Sequence, residues 1–113
     1  MMAKQQRVEA WYSGHVQGVG FRQRTRQLAA DFAVVGEVRN LSDGRVELTA
    51  EGPRSELEGF LRAVDETLGE FIRGRRVEWT RTESGRTESV QTEGSTAKSR
   101  FTGFHVAPDR LVQ

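Results

Sequence analysis

The order in which strand-like and helix-like segments follow one another constrains the fold of this chain most strongly. The order is β-α-β-β-α-β, followed by one more strand, and it is read from the spacing of the apolar residues. The segments lie in turn at residues 8–13, 21–32, 34–40, 45–51, 57–68, 75–81 and 101–106. This order is typical of the ferredoxin-like arrangement. We therefore predict an α+β sandwich, in which an antiparallel sheet with a fifth strand is covered on one face by two helices.

The length of the chain favours a single domain over residues 1–113. This length is enough for one modest core, and we expect that core to extend from about residue 8 to residue 106. Residues 84–99 contain only Val90 and Ala97 as apolar residues, which predicts a mobile loop. Residues 107–113 are expected to form a frayed tail.

The composition excludes several classes of function. The chain has no cysteine, and its 2 histidines are far apart in sequence, so we expect no disulfide, no thiolate chemistry, no metal and no cofactor. The net charge is only +1, whereas proteins that bind nucleic acids usually carry a clear basic excess. No apolar run approaches the roughly 20 residues of a membrane span, and the polar N-terminus does not resemble a signal peptide. We expect a cytoplasmic protein.

Two local patterns predict how side chains are arranged. In residues 45–51 apolar residues alternate with polar ones, which predicts one buried and one solvent-exposed face. The residues predicted to be exposed are Arg45, Glu47, Thr49 and Glu51. Ser55, followed three residues later by Glu58, predicts a capping box at the start of the second helix.

A glycine-rich segment connects the first strand to the first helix. Residues 14–20 contain three glycines in seven residues, and Arg22 follows closely. Glycines allow backbone N–H groups to converge on one point, and such groups at a helix N-terminus bind anions. An arginine adds donors that suit phosphate. The segment therefore predicts a phosphate-binding site.

The predicted topology brings a second polar residue to the same edge of the sheet. In a ferredoxin-like fold the first two strands are parallel, so both end at one edge. Asn40 ends the second strand, and Arg22 follows the first. We therefore expect these two residues to lie close together.

Two blocks of sequence resemble the signatures of the acylphosphatase family. The blocks are GHVQGVGFR at 14–22 and VVGEVRNLSDGRVEL at 34–48. The family signatures read roughly G-x-V-Q-G-V-x-F-R and G-x-V-x-N-x-x-D-G-x-V-E, and both match in the right order and spacing. The resemblance covers about residues 8–106. It implies an enzyme that hydrolyses acyl phosphates to a carboxylate and inorganic phosphate.

The resemblance also implies a role for each site residue. Arg22 would bind the phosphate, and Asn40 would orient the attacking water. The backbone N–H groups of the loop would cradle the phosphate, and they belong to His15, Val16, Gln17, Gly18, Val19 and Gly20. The expected partners are a small acyl phosphate as substrate and inorganic phosphate or sulfate as a product-like ligand. We expect a monomer with no nucleic-acid or membrane partner.

The chain departs from the family pattern at two positions, and other interpretations remain open. His15 stands where arginine is common, and Glu37 stands where an aromatic residue is frequent, so we expect Glu37 to be exposed. Arg22 taken alone is also compatible with a surface arginine, and Asn40 with a turn residue. Two alternatives to an enzyme are a non-catalytic anion-binding module and an RNA-binding ferredoxin-like module.

Hydrolysis of an acyl phosphate by these residues requires no metal. The leaving group is a carboxylate, which departs without a strong acid, and an arginine with backbone N–H groups stabilises the developing charge. We predict that an excess of a metal chelator leaves the rate of acyl phosphate hydrolysis unchanged. A rate that is abolished by the chelator and restored by a divalent cation would contradict this prediction.

Overall fold

A computed structural model describes residues 5–81 and 101–112 of the chain. The elements are β1 Gln5–Gly14, α1 Phe21–Ala29, β2 Val35–Asn40, β3 Val46–Pro53, α2 Arg54–Leu68, a 3₁₀ turn Gly69–Phe71, β4 Ile72–Arg81 and β5 Phe104–Val106. The predicted order of strands and helices is confirmed. The mobile loop predicted at 84–99 lies outside the described residues.

The five strands form one mixed sheet in the order β4-β1-β3-β2-β5. β1 pairs antiparallel with β3 and β4, and β2 pairs antiparallel with β3. β5 pairs parallel with β2. The first four strands therefore form an antiparallel sheet, and β5 adds one parallel pair. The predicted α+β ferredoxin-like fold is confirmed, and β5 extends it at one edge.

One face of the sheet forms the core against the two helices. Alternate residues of β1 and β3 point to this face, as the period of a strand requires, and α2 adds apolar residues at helical spacing. The buried residues include Val8, Ala10, Tyr12, Val46, Leu48, Ala50, Leu57, Phe60, Leu61, Val64 and Leu68. From α1, Phe21 packs its ring 5.2 Å from the ring of Tyr12.

The opposite face of β3 is buried as well, so the prediction of exposed polar residues there is wrong for three of them. Glu47, Thr49 and Glu51 are 8%, 4% and 6% exposed. Neighbouring segments cover the two carboxylates: Arg7 pairs with Glu51 at 2.7 Å, and Arg110 pairs with Glu47 at 2.8 Å. The physical reason is that β3 is the central strand, and long arginine side chains lie across it.

A further glutamate prediction is corrected on β2. Glu37, expected to be exposed, is half-buried and forms an ion pair with Arg39. Its neighbours across the sheet are Thr49 on β3 and His105 on β5. The added strand β5 therefore shields a residue that would be exposed at the edge of a four-stranded sheet.

The start of α2 also differs from the prediction. The N-cap residue is Pro53, in an extended conformation, and no side chain caps the helix. Because the helix begins at Arg54, Ser55 lies inside its first turn and forms no capping box. Glu58 instead accepts a hydrogen bond from Arg54 Nε at 2.9 Å, a pair with the i,i+4 spacing of helical neighbours.

The segment after β5 is paired along the sheet, which corrects the expectation of a frayed tail. The Ala107 N–H donates to the Val38 carbonyl at 2.8 Å, and the Arg110 N–H donates to the Asn40 carbonyl at 3.0 Å. The Arg110 carbonyl in turn accepts a hydrogen bond from the Ser42 N–H at 2.9 Å. We call residues 107–112 the C-terminal segment; it continues beside β2 to the end of that strand.

None of the helices in the described residues is long and apolar enough to cross a membrane.

Close backbone packing between β2 and β3 yields a stability prediction. A Cβ at Gly36 would lie 2.0 Å from the carbonyl oxygen of Thr49, so the strands must separate to accommodate it. We predict that Gly36→Ala lowers the free energy of unfolding by about 1–3 kcal/mol or more, measured by urea denaturation.

Gly69→Ala is the matched control. A Cβ at Gly69 would meet no atom within 4 Å, and its φ of −59° suits alanine. We expect a change of less than about 1 kcal/mol, in the stabilising direction. Equal losses of stability in the two variants would contradict the packing explanation.

Candidate functional site

The loop at residues 15–20 is anchored by its ends and its valines. The His15 N–H donates to the Phe71 carbonyl at 2.9 Å, which ties the start of the loop to the turn before β4. The prediction that this N–H belongs to the phosphate cradle is therefore wrong, because it is already used within the fold. Val16 is fully buried in the core, and Val19 packs against it. The remaining loop residues are exposed. The valines therefore fix the loop on the protein, and the rest of its backbone faces solvent.

The backbone N–H groups of this loop are available to a ligand. Those of residues 16–20 donate no hydrogen bond to any part of the chain that the structure describes. Gly18 and Gly20 have φ of +82° and +81°, a conformation that favours glycine, and a Cβ there would meet nothing within 4 Å. The positive φ angles thus favour glycine at positions 18 and 20, and the space beside both residues is open.

The N-terminus of α1 carries positive charge with no compensating acid of its own. Gly20 is the N-cap residue, no side chain caps the helix, and its first turn contains no acidic residue. Arg22 and Arg24 stand in that turn. Since the helix dipole already makes this end positive, arginines there are unfavourable unless an anion lies nearby.

Arg22 follows the last loop residue by two positions, and its side chain is 37% exposed. Its Nη1 donates a hydrogen bond to Oδ1 of Asp109 at 3.2 Å. The guanidinium therefore already contacts a carboxylate oxygen, an anionic acceptor of the same kind as a phosphoryl oxygen.

Asn40 ends β2 on the helix-covered face of the sheet. Its partner across β3 is Val46, and Val46 also pairs with Tyr12 of β1. The ends of β1 and β2 therefore lie at the same edge, two strand spacings or roughly 10 Å apart, as the topology predicted. The Asn40 backbone carbonyl accepts a hydrogen bond from the Arg110 N–H. Arg110 directly follows Asp109, which is the residue that pairs with Arg22.

The side-chain oxygen of Asn40 is a polar atom that the described part of the fold leaves unused. Oδ1 is buried and accepts no hydrogen bond from the described residues. A buried acceptor without a partner costs about 1–3 kcal/mol, so the free energy favours a side-chain rotation that brings Oδ1 to a water molecule or a ligand. The end of the sheet at which β1 and β2 finish therefore combines unused loop N–H groups with an unused acceptor on Asn40.

Gln17 connects the loop to the turn that follows β2, a role that sequence reasoning missed. Its Nε2 donates to the Leu41 carbonyl at 2.8 Å and to the Arg45 carbonyl at 2.9 Å. The sequence predicted only a backbone role for Gln17. No signal in the sequence reveals this role, because glutamine is an ordinary residue at an exposed loop position.

Other polar residues near this edge serve the turn. Asp43 accepts hydrogen bonds from the Arg45 N–H at 3.1 Å and from Arg45 Nε at 2.8 Å. The hydrogen bond from the Arg45 backbone N–H lowers the pKa of the Asp43 carboxyl, with the Arg45 side chain adding to it. Asp43 is therefore an ionised turn residue.

Three other side chains stand at or near the loop in sequence. Phe21 is buried in the core, and the side chain of His15 is exposed. Burial raises the pKa of the Tyr12 hydroxyl, so this group stays protonated. Within residues 5–81 and 101–112, no group of three or more histidine, aspartate or glutamate side chains could hold a metal ion.

Comparisons with known proteins show which family this chain is similar to. The family model described as Acylphosphatase matches residues 8–106. A protein of Methanospirillum hungatei called acylphosphatase is 46% identical over 71 residues, which are 63% of this chain and 78% of that protein. The crystal structure of acylphosphatase from Bacillus subtilis aligns with a TM-score of 0.70 and 28% identity, over 90% of this chain and 98% of that one. An acylphosphatase structure from Coxiella burnetii aligns with a TM-score of 0.69 and 26% identity, over 92% and 94% of the two chains.

The bridge formed by Gln17 yields a prediction about stability. Gln17→Ala removes two hydrogen bonds between the loop and the turn, so we expect it to lower the free energy of unfolding by about 1–3 kcal/mol, measured by urea denaturation. Gln27→Ala, at an exposed position of α1, is the matched control, with an expected change within about 0.5 kcal/mol. If the two variants were equally stable, the bridge would not contribute.

Proposed function

Because this chain belongs to the acylphosphatase family, we propose that it hydrolyses acyl phosphates to a carboxylate and inorganic phosphate at the sheet edge formed by loop 15–20, Arg22 and Asn40. The observation that carries the proposal is the buried Oδ1 of Asn40, which accepts no hydrogen bond from the residues that the structure describes. A loop that binds anions would by itself explain only the binding of a phosphate. An acceptor that holds a water molecule beside the bound phosphate would also explain its hydrolysis.

The phosphoryl group binds to the open N–H groups of the loop and to Arg22. The N–H groups of residues 16–20 make no other hydrogen bond in the described chain, and the N-terminus of α1 adds its dipole. Arg22 supplies a formal positive charge. Together they neutralise the oxygens of the phosphoryl group, on which charge is spread in the transition state.

The attacking water is held by Asn40. Its Oδ1 accepts a hydrogen bond from one O–H of the water, which leaves a lone pair of the water oxygen free to face the phosphorus. Fixing both reactants in this way removes most of the entropic cost of bringing them together. Asn40 has no basic group, so its contribution is orientation.

The step balances without a side-chain nucleophile. A bond forms between the water oxygen and phosphorus, and the bond between phosphorus and the acyl oxygen breaks. The electron pair of that bond leaves with the carboxylate, which is a weak base and needs no general acid. The proton of the water passes to a phosphate oxygen. Because Arg22 and the backbone N–H groups supply the positive charge, the step needs no metal.

The non-catalytic alternative uses part of the same site. A module that only binds anions would need the loop and Arg22 but has no use for the acceptor on Asn40. We do not extend the proposal to RNA, because the middle of the sheet face opposite the helices carries Glu47 and Glu51, which are already paired with arginines.

We propose that the protein acts as a cytoplasmic monomer on small acyl phosphates.

Substitutions at the two side chains test the mechanism. We predict that Arg22→Ala and Asn40→Ala each lower kcat by about 10²–10³-fold, the usual cost of one lost donor or positioning group at a developing charge. The loss of an aryl acyl phosphate is followed by absorbance, and folding is checked by circular dichroism.

Two comparisons make this test specific. Arg26→Ala changes an exposed arginine in the last turn of the same helix, and it is expected to retain the wild-type rate. Asn40→Ala is expected to retain the affinity for inorganic phosphate, because it removes only the water site. Phosphate binding by the wild-type protein with no hydrolysis above that of Asn40→Ala would favour the anion-binding module.

A further inference from the structure

The acidic partner of Arg22 comes from the C-terminal segment. Oδ1 of Asp109 lies 3.2 Å from Arg22 Nη1, across 87 positions of sequence. Among the residues that the structure describes, Asp109 provides the only side-chain hydrogen bond or ion pair of Arg22. A carboxylate oxygen thus takes a donor that the proposed function assigns to a phosphoryl oxygen.

Backbone hydrogen bonds keep Asp109 at this position. Two residues before it, the Ala107 N–H donates to Val38, and directly after it, the Arg110 N–H donates to Asn40, at 2.8 and 3.0 Å. Pro108 lies between the first of these contacts and Asp109, and its ring fixes one backbone dihedral angle. The carboxylate therefore remains near Arg22 when their hydrogen bond opens, as a tethered ligand with a high effective concentration.

The ion pair is weak enough for a substrate to replace it. Arg22 is 37% and Asp109 is 69% exposed, and exposed pairs of this kind contribute little net free energy. A phosphoryl group brings more negative charge and also bonds to the loop N–H groups. Rotation of the Asp109 side chain is enough to release Arg22, because the backbone contacts on both sides do not involve the carboxylate.

We propose that Asp109 is an internal competitor for the phosphate site, which pairs with Arg22 in the free protein and is displaced by the substrate phosphate. This inference rests on the proposed role of Arg22 as a phosphate ligand. In this way the C-terminal segment controls the affinity of the site for its substrate. A competitor of this kind reduces the apparent affinity by the fraction of molecules in which Arg22 is free.

Binding of inorganic phosphate to the full chain tests the proposal. We expect Asp109→Asn to lower the Kd for inorganic phosphate about twofold to sixfold, given the usual strength of exposed pairs, measured by calorimetry at fixed ionic strength. The KM for an acyl phosphate falls by a similar factor with kcat unchanged, because saturating substrate displaces the carboxylate in the wild-type protein. A residue that instead holds Arg22 in position would give the opposite sign, with weaker binding in the variant.

Asp31→Asn is the matched control, since it removes the same charge at an exposed position near the far end of α1, roughly 13 Å along the helix axis from Arg22. A lower Kd in Asp109→Asn but not in Asp31→Asn supports the inference. An unchanged or higher Kd in Asp109→Asn, or an equal fall in both variants, overturns it. In that case the proposed function still stands if the wild-type protein binds phosphate and Arg22→Ala does not. No phosphate binding by either the wild-type protein or Asp109→Asn would contradict both.

Discussion

The hydrogen bonds from the Gln17 side chain to the Leu41 and Arg45 carbonyls join two parts of the chain that must act together. The loop at 15–20 follows β1, and the turn at 41–45 follows β2, so the two are covalently distant although they lie at one edge of the sheet. In the proposed mechanism, a phosphate held by the loop and a water held by Asn40 react efficiently only if their separation is fixed to within about 1 Å. The Gln17 bridge, together with the shared pairing of Tyr12 and Asn40 with Val46, provides that fixed separation.

The charge distribution at this edge explains why the site suits an anion. Arginine at the positive end of a helix is unfavourable in isolation, and the first turn of α1 contains no acid to balance it. In the free protein the balancing charge comes from Asp109, held by a segment that pairs with the end of β2. A bound phosphoryl group would supply the same charge with more contacts. Asp109 and a bound phosphoryl group would therefore balance the same positive charge on Arg22.

Much of the fold and part of the site could be predicted from sequence, because they depend on local patterns. Periodicity predicted the order of the elements, and the parallel relation of β1 and β2 then predicted that Arg22 and Asn40 approach the same edge. The burial of Glu47 could not be predicted, because it depends on Arg110, 63 positions away, and on the central place of β3. The pairing of the C-terminal segment rests on backbone hydrogen bonds, which leave no pattern of side chains. The contact between Asp109 and Arg22 follows from that pairing, so it has no signature in the sequence either.

The central claim is that one bound phosphate meets the loop N–H groups, Arg22 and the water on Asn40 at the same time. A crystal structure of the full chain with inorganic phosphate tests this most directly. We expect the phosphate to lie within hydrogen-bond distance of the N–H groups of residues 16–20 and of the Arg22 guanidinium. We also expect Asp109 to be turned away and a water molecule to bridge Asn40 Oδ1 and the phosphate. A phosphate bound elsewhere on the chain, with Arg22 still paired to Asp109 and the loop unoccupied, would contradict the claim.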